Sequence, residues 1–128
     1  MPVTASWHPD EEDVIWIHVT DPWTRSDLYH AQSQVKQLAA SADSKVYTLT
    51  DFGDINTWPE NLLYIHVANM LRDPPENREL AVVIANHAFL YLGRDYIKRL
   101  DHKIVSTLET VPSMRDALAF IRKHKAQK

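Results

Sequence analysis

Residues Leu80–Ala85 read LAVVIA, six apolar side chains in succession. A strand with one wet face alternates apolar and polar residues, so an unbroken run of this kind points to a central strand buried on both faces. The flanking segments have other periods. Val3–His8 is apolar at alternate positions and leads into the polar stretch Pro9–Asp13. Val14–Thr20 (VIWIHVT) is rich in β-branched and aromatic residues, which favours a strand. The two read as an antiparallel hairpin with a loop of about five residues.

From Thr24 the spacing becomes helical: Leu28, Ala31, Val35, Leu38 and Ala42 recur at three- and four-residue steps. Thr24 stands where an N-cap belongs, with Asp27 in the first turn to face the positive end of the helix dipole. Lys45–Phe52 (KVYTLTDF) returns to strand character. Thr57-Trp58-Pro59-Glu60 then forms a Thr-x-x-Glu capping box with proline in the first turn, opening a helix striped by Leu63, Val67, Met70 and Leu71. Asp73-Pro74-Pro75 stops it, since proline lacks a backbone donor and restricts the residue before it. After the apolar run, Phe89, Leu92, Tyr96 and Leu100 mark a further helix, and Ile104–Leu108 reads as a short last strand. Ser113 and Asp116 cap a final helix carrying Met114, Ala117, Leu118 and Ile121.

The expected order is β-β-α-β-α-β-α-β-α. Alternating strands and helices imply right-handed crossovers. The expected fold class is therefore α/β, with a mixed, mostly parallel sheet of about five strands, an N-terminal antiparallel hairpin and about four helices. No repeat or linker divides residues 1–128, so they read as a single domain.

Composition narrows the chemistry. With no cysteine, the chain has no disulfide, thiol nucleophile or cysteine-ligated metal. Its two glycines, Gly53 and Gly93, stand alone, so neither a dinucleotide fingerprint nor a phosphate loop is present. A formal charge of −3 argues against a dedicated nucleic-acid partner. No apolar stretch approaches a membrane span and Met1–Asp10 does not read as a signal peptide, so a cytoplasmic protein is expected. The basic tail from Arg122 to Lys128 reads as a solvated helix end. An exposed edge strand at Val3–His8 is able to pair between chains, and dimers are the commonest assembly, which leaves a homodimer open.

Seven histidines, at positions 8, 18, 30, 66, 87, 102 and 124, raise the question of a metal. None forms a His-x-His, His-x-x-x-His or His-Glu-x-x-His pattern, so no metal site and no cofactor are expected. His18 alternates with Ile17 and Val19 and so faces the opposite side of its strand, while His66 lies near a helical stripe. His87 follows the buried strand at its carboxyl end, where open α/β sheets bind ligands, and is the ligand-binding candidate; otherwise it is a loop residue before a helix. Asp51 and Asp54, beyond another carboxyl end, would be able to approach His87 as an acid–base pair, yet Asp also belongs in such loops for turn reasons. No Gly-x-Ser-x-Gly elbow supplies a nucleophile, and the chain reads as a non-enzyme. Of the four tryptophans, Trp16 reads as core and Trp7 as edge-strand. Trp23 and Trp58 sit in loops before helices, where they either cap the sheet or form an exposed apolar patch.

The order of elements and three local features carry a resemblance. The first long strand leads to Trp23-Thr24 and Asp27-Leu28-Tyr29, the next ends in Thr50-Asp51-Phe52 before an irregular loop, and the chain closes on Met114-Arg115-Asp116-Ala117-Leu118-Ala119-Phe120-Ile121. In these respects the chain resembles the SpoIIAA-like fold shared by STAS domains and Sec14-type lipid-binding domains, and most of all the small stand-alone bacterial proteins of that superfamily. The resemblance extends over nearly the whole chain and implies a regulatory domain like the anti-sigma factor antagonists. Its partner would be a kinase or regulatory factor, switched by phosphorylation in the loop before a helix. Laid on this chain, the family's Asp-Ser-Ser-Gly falls on Asn56, Thr57, Trp58 and Pro59, so only the hydroxyl of Thr57 is retained as phospho-acceptor. A threonine there also caps its helix with no partner involved. Asp51, Asp54, Asn56, Trp58 and Trp23 form the implied interaction loops. The Sec14-type branch implies the alternative, a carrier of lipid or another small molecule.

Overall fold

A computed structural model of the chain describes residues 2–55, 74–85 and 107–127. Within them the order is β1 (Val3–Trp7), β2 (Val14–Val19), α1 (Arg25–Ala40), β3 (Val46–Asp51), β4 (Arg78–Ile84), β5 (Leu108–Val111) and α2 (Met114–Ala126). The strands form one sheet in the order β1-β2-β3-β4-β5, with β1 antiparallel to β2 and every later pair parallel. The α/β class, the mixed sheet and the N-terminal hairpin are as expected. Of the four expected helices, the structure describes two. The helices expected after Thr57 and through Phe89–Leu100 lie outside the described residues.

The two faces of the sheet carry separate cores. Ile15, Ile17 and Val19 of β2 point to one side, where they join Val3, Val46 and the α1 residues Leu28, Ala31, Val35 and Ala39. Val14 of β2 points to the other, with Tyr47, Leu49, Leu80, Val82, Ile84 and the α2 residues Ala117 and Ile121. In β4, Leu80, Val82 and Ile84 face α2, while Val83 and the following Ala85 pack on the α1 side. This two-sided burial is why LAVVIA has no polar interruption.

The helix starts follow their cap chemistry. The Thr24 hydroxyl accepts from the Asp27 N–H at 3.2 Å, and the Asp27 carboxyl accepts from the Thr24 N–H at 2.9 Å. Ser113 accepts from the Asp116 N–H at 3.2 Å. Each such cap contributes about 1 kcal/mol. The last turn of α1 contains no basic residue. Its Ala39 carbonyl is satisfied from outside the helix by the Asn77 side-chain amide at 2.9 Å, which also donates to the Ser44 carbonyl.

One boundary differs from expectation. The last strand is Leu108–Val111, not Ile104–Leu108; residues 104–106 are outside the described set, and Leu108 is the strand's first residue. Glu109 and Thr110 look like loop residues in sequence, but β5 pairs only with β4 among the described strands and is half-buried along most of its length, so polar side chains are accommodated. The Ala85 N–H donates to the Val111 carbonyl at 2.9 Å and continues the ladder past the polar residues.

The far end of α2 is fastened to the β1–β2 loop. Glu11 accepts from Lys125 Nζ at 2.9 Å and from Arg122 Nε at 2.7 Å. Lys125 also donates to the Glu12 carbonyl at 2.6 Å. The hydrogen bond from Lys125 first, then that from Arg122, holds the Glu11 carboxyl below the ordinary glutamate value of 4.5. A carboxyl whose pKa is lowered by folding stabilises the fold above its unfolded pKa, and that stability is lost as pH falls through the folded value. Glu11→Gln is therefore expected to lower the urea midpoint at neutral pH, with the difference from wild type shrinking as pH drops below 4.5. A difference that stays constant into acid would show that the carboxyl charge is not what fastens α2.

Candidate functional site

Register brings together a set of side chains that the linear sequence scatters. β2 and β3 are parallel, with Trp16 opposite Leu49 and His18 opposite Asp51. Trp16, His18, Leu49 and Asp51 therefore project from one face, the face that α2 covers over β3, β4 and β5. Toward the β1–β2 side that face carries Trp16 and His18, both half-buried. The indole of Trp16 and the imidazole of His18 stack at a centroid separation of 4.9 Å and an interplanar angle of 23°. The ring of His8 follows on the other side of Trp16 at 5.6 Å. The His8 Nδ1 accepts from the Asp10 N–H, which fixes its ring near the hairpin turn.

The carboxyl end of β3 closes this row. The Asp51 side chain is only 8% exposed. One of its oxygens accepts from the Trp16 Nε1–H at 3.3 Å and the other from the Gly53 N–H at 2.9 Å. The second bond turns the chain directly after the strand. A Cβ on residue 53 would lie 3.0 Å from Asp51 Oδ1, so glycine there permits the close approach of backbone to carboxyl. The turn presents Asp54, whose side chain is 66% exposed and meets His18 Nε2 at 2.8 Å. The arrangement is a half-open aromatic and imidazole row ending in a carboxyl group, held by a buried one. It offers ring faces for stacking and an Asp–His pair for polar contact.

The structure joins Asp54 to His18. His87, Asn56, Thr57 and Trp58 lie outside the described residues. Trp16, expected in the core, is instead half-buried with its indole N–H on Asp51. Trp23 takes the sheet-capping alternative: it is 4% exposed and packs against Phe52 at a centroid distance of 5.6 Å. Burial removes Trp23 from any exposed aromatic patch. His18 and His8 were not among the expected binding residues, and the signal for His18 lay in its alternation against Ile17 and Val19. Among the described residues, no group of three or more histidine and acidic side chains is placed to hold a metal ion. Among those residues, too, no helix is long and apolar enough to cross a membrane. The chain matches no family model, no curated protein and no solved structure.

Proposed function

We propose that the chain is a cytoplasmic, non-enzymatic regulatory domain that acts by binding another protein, in the manner of the anti-sigma factor antagonists it resembles. The observation that supports this reading is the half-exposed Trp16–His18 stack ending on the Asp54 carboxyl. Tryptophan beside polar groups is the composition of energetic centres in protein interfaces. In this reading the full fold is SpoIIAA-like, with two further helices in the crossovers before β4 and β5. Thr57, two residues past the last described position of the β3 loop, is the proposed phospho-acceptor. A phosphate at a helix start is favoured by the dipole and would add nearly two negative charges, three residues along the chain from Asp54.

The test is capture from a lysate of the native host with wild type, Asp54→Ala and Thr57→Glu, with bound proteins identified by mass spectrometry. Wild type is expected to retain a kinase or sigma-regulatory protein that both variants lose while circular dichroism stays unchanged. Equal recovery by all three, or recovery of no specific protein, overturns the reading. Lipid or another small molecule retained by the purified protein in native mass spectrometry would favour a carrier instead.

A further inference from the structure

We propose that two copies of this chain pair through β1, antiparallel and two-fold symmetric about Ala5, to make one continuous sheet. The hydrogen-bond pattern of the hairpin defines the register. The Thr20 N–H donates to the Pro2 carbonyl and the His8 N–H to the Val14 carbonyl, both at 2.8 Å. Bonded pairs alternate along an antiparallel ladder, so Thr4 and Ser6 also turn their backbone groups toward β2. Val3, Ala5 and Trp7 turn theirs away from it, toward the outer edge of the sheet, where no described strand lies. A second β1 related by a two-fold axis at Ala5 sets Val3 against Trp7, Ala5 against Ala5 and Trp7 against Val3. These are the residues whose donors and acceptors point outward, so each pair exchanges two backbone hydrogen bonds.

The side chains match in the same register. Val3, Ala5 and Trp7 lie on the α1 face, so apolar meets apolar there, while Thr4 meets Ser6 on the other face. The strand VTASW carries no charge, proline or bulge, the devices that keep a sheet edge from pairing. The opposite end of the described sheet does carry one, since β5 includes Glu109. The exposed large hydrophobics among the described residues are Trp7 of β1, at 38%, and Tyr29 of α1, also at 38%. α1 packs against β1, so both belong to the elements that adjoin this edge. Uncharged edge, self-matching register and edge-localised aromatics together select a second copy of the chain as the occupant.

Ala5→Pro tests the pairing without touching the hairpin. The Ala5 N–H points outward, so proline removes a donor from the outer edge and none from the β1–β2 ladder. Sedimentation equilibrium is expected to find a dimer for wild type and a monomer for Ala5→Pro, with unchanged circular dichroism. A wild type monomeric at every concentration, or a folded Ala5→Pro that stays dimeric, overturns the proposal. A second measurement does not depend on the proline. Because the chain has no cysteine, Thr4→Cys and Ser6→Cys introduce the only thiols. Non-hydrogen-bonded antiparallel pairs hold Cα atoms about 4.5 Å apart, within disulfide reach. Mixing the two single variants under oxidation is expected to give a crosslinked heterodimer that neither variant forms as readily alone; crosslinking without that preference would overturn the register.

Discussion

Leu49→Ala is expected to lower stability by about 2–5 kcal/mol, the range for emptying a filled core position. Leu49 is 0% exposed, on β3 at the middle of the sheet, between Trp16 and Val82 in register and beneath the helix that supplies Ala117 and Ile121. Strands on both sides restrain β3, so the site has little freedom to collapse into the space left behind. The loss is a large share of a domain stability of roughly 5–15 kcal/mol, and the melting midpoint is expected to fall by roughly 10 °C. Urea denaturation provides the check, with the midpoint lowered and the slope unchanged. A loss under about 1 kcal/mol would mean that α2 does not close over β3 as described.

The packing behind this expectation was legible in the sequence wherever burial is a local property. LAVVIA is apolar throughout because both faces of β4 are covered, and the Leu28–Ala31–Val35 stripe follows the one side of α1 that meets the sheet. The Thr24–Asp27 and Ser113–Asp116 caps are equally local, each closing within a turn. Burial that depends on distant elements was not legible. Trp16 lies in a run of apolar residues, yet the described helix on its side of the sheet lies over β3, β4 and β5, and its indole stays half-exposed. Trp23 stands in a loop, yet Phe52 brings it into the core. The end of β5 was obscured because a half-buried strand, paired only with β4 among the described strands, tolerates Glu109 and Thr110, which carry no apolar signal. For the candidate site, alternation separated His18 from Ile17 and Val19, but its partner is 36 residues away and is chosen by the parallel register of β2 with β3. Asp51 and Asp54 were legible as loop carboxyls. That one is buried beneath the tryptophan and the other meets a histidine depends on the Gly53 turn.

That dependence makes Asp51 the residue by which the candidate site stands or falls. Asp51→Ala is expected to cost about 2 kcal/mol, because it takes an acceptor from the part-buried Gly53 N–H and from the Trp16 indole. The Gly53 bond carries most of the loss, since the half-exposed indole is able to find water. Asp51→Asn keeps one carbonyl oxygen as acceptor and is expected to lose about half as much. The order wild type, Asn, Ala in urea midpoints is the expected result; equal losses for Asn and Ala would show that the charge, not the acceptor count, holds the turn. The functional readout follows from the geometry. Asp51 is too buried to meet a partner itself, but its bond to Gly53 sets where Asp54 sits against His18. A folded Asp51→Ala protein is therefore expected to lose the partner that Asp54→Ala loses, and the Trp16 indole N–H resonance is expected to shift relative to wild type. A variant that still captured the partner with its loop released would separate binding from this site and move the recognition surface elsewhere on the molecule.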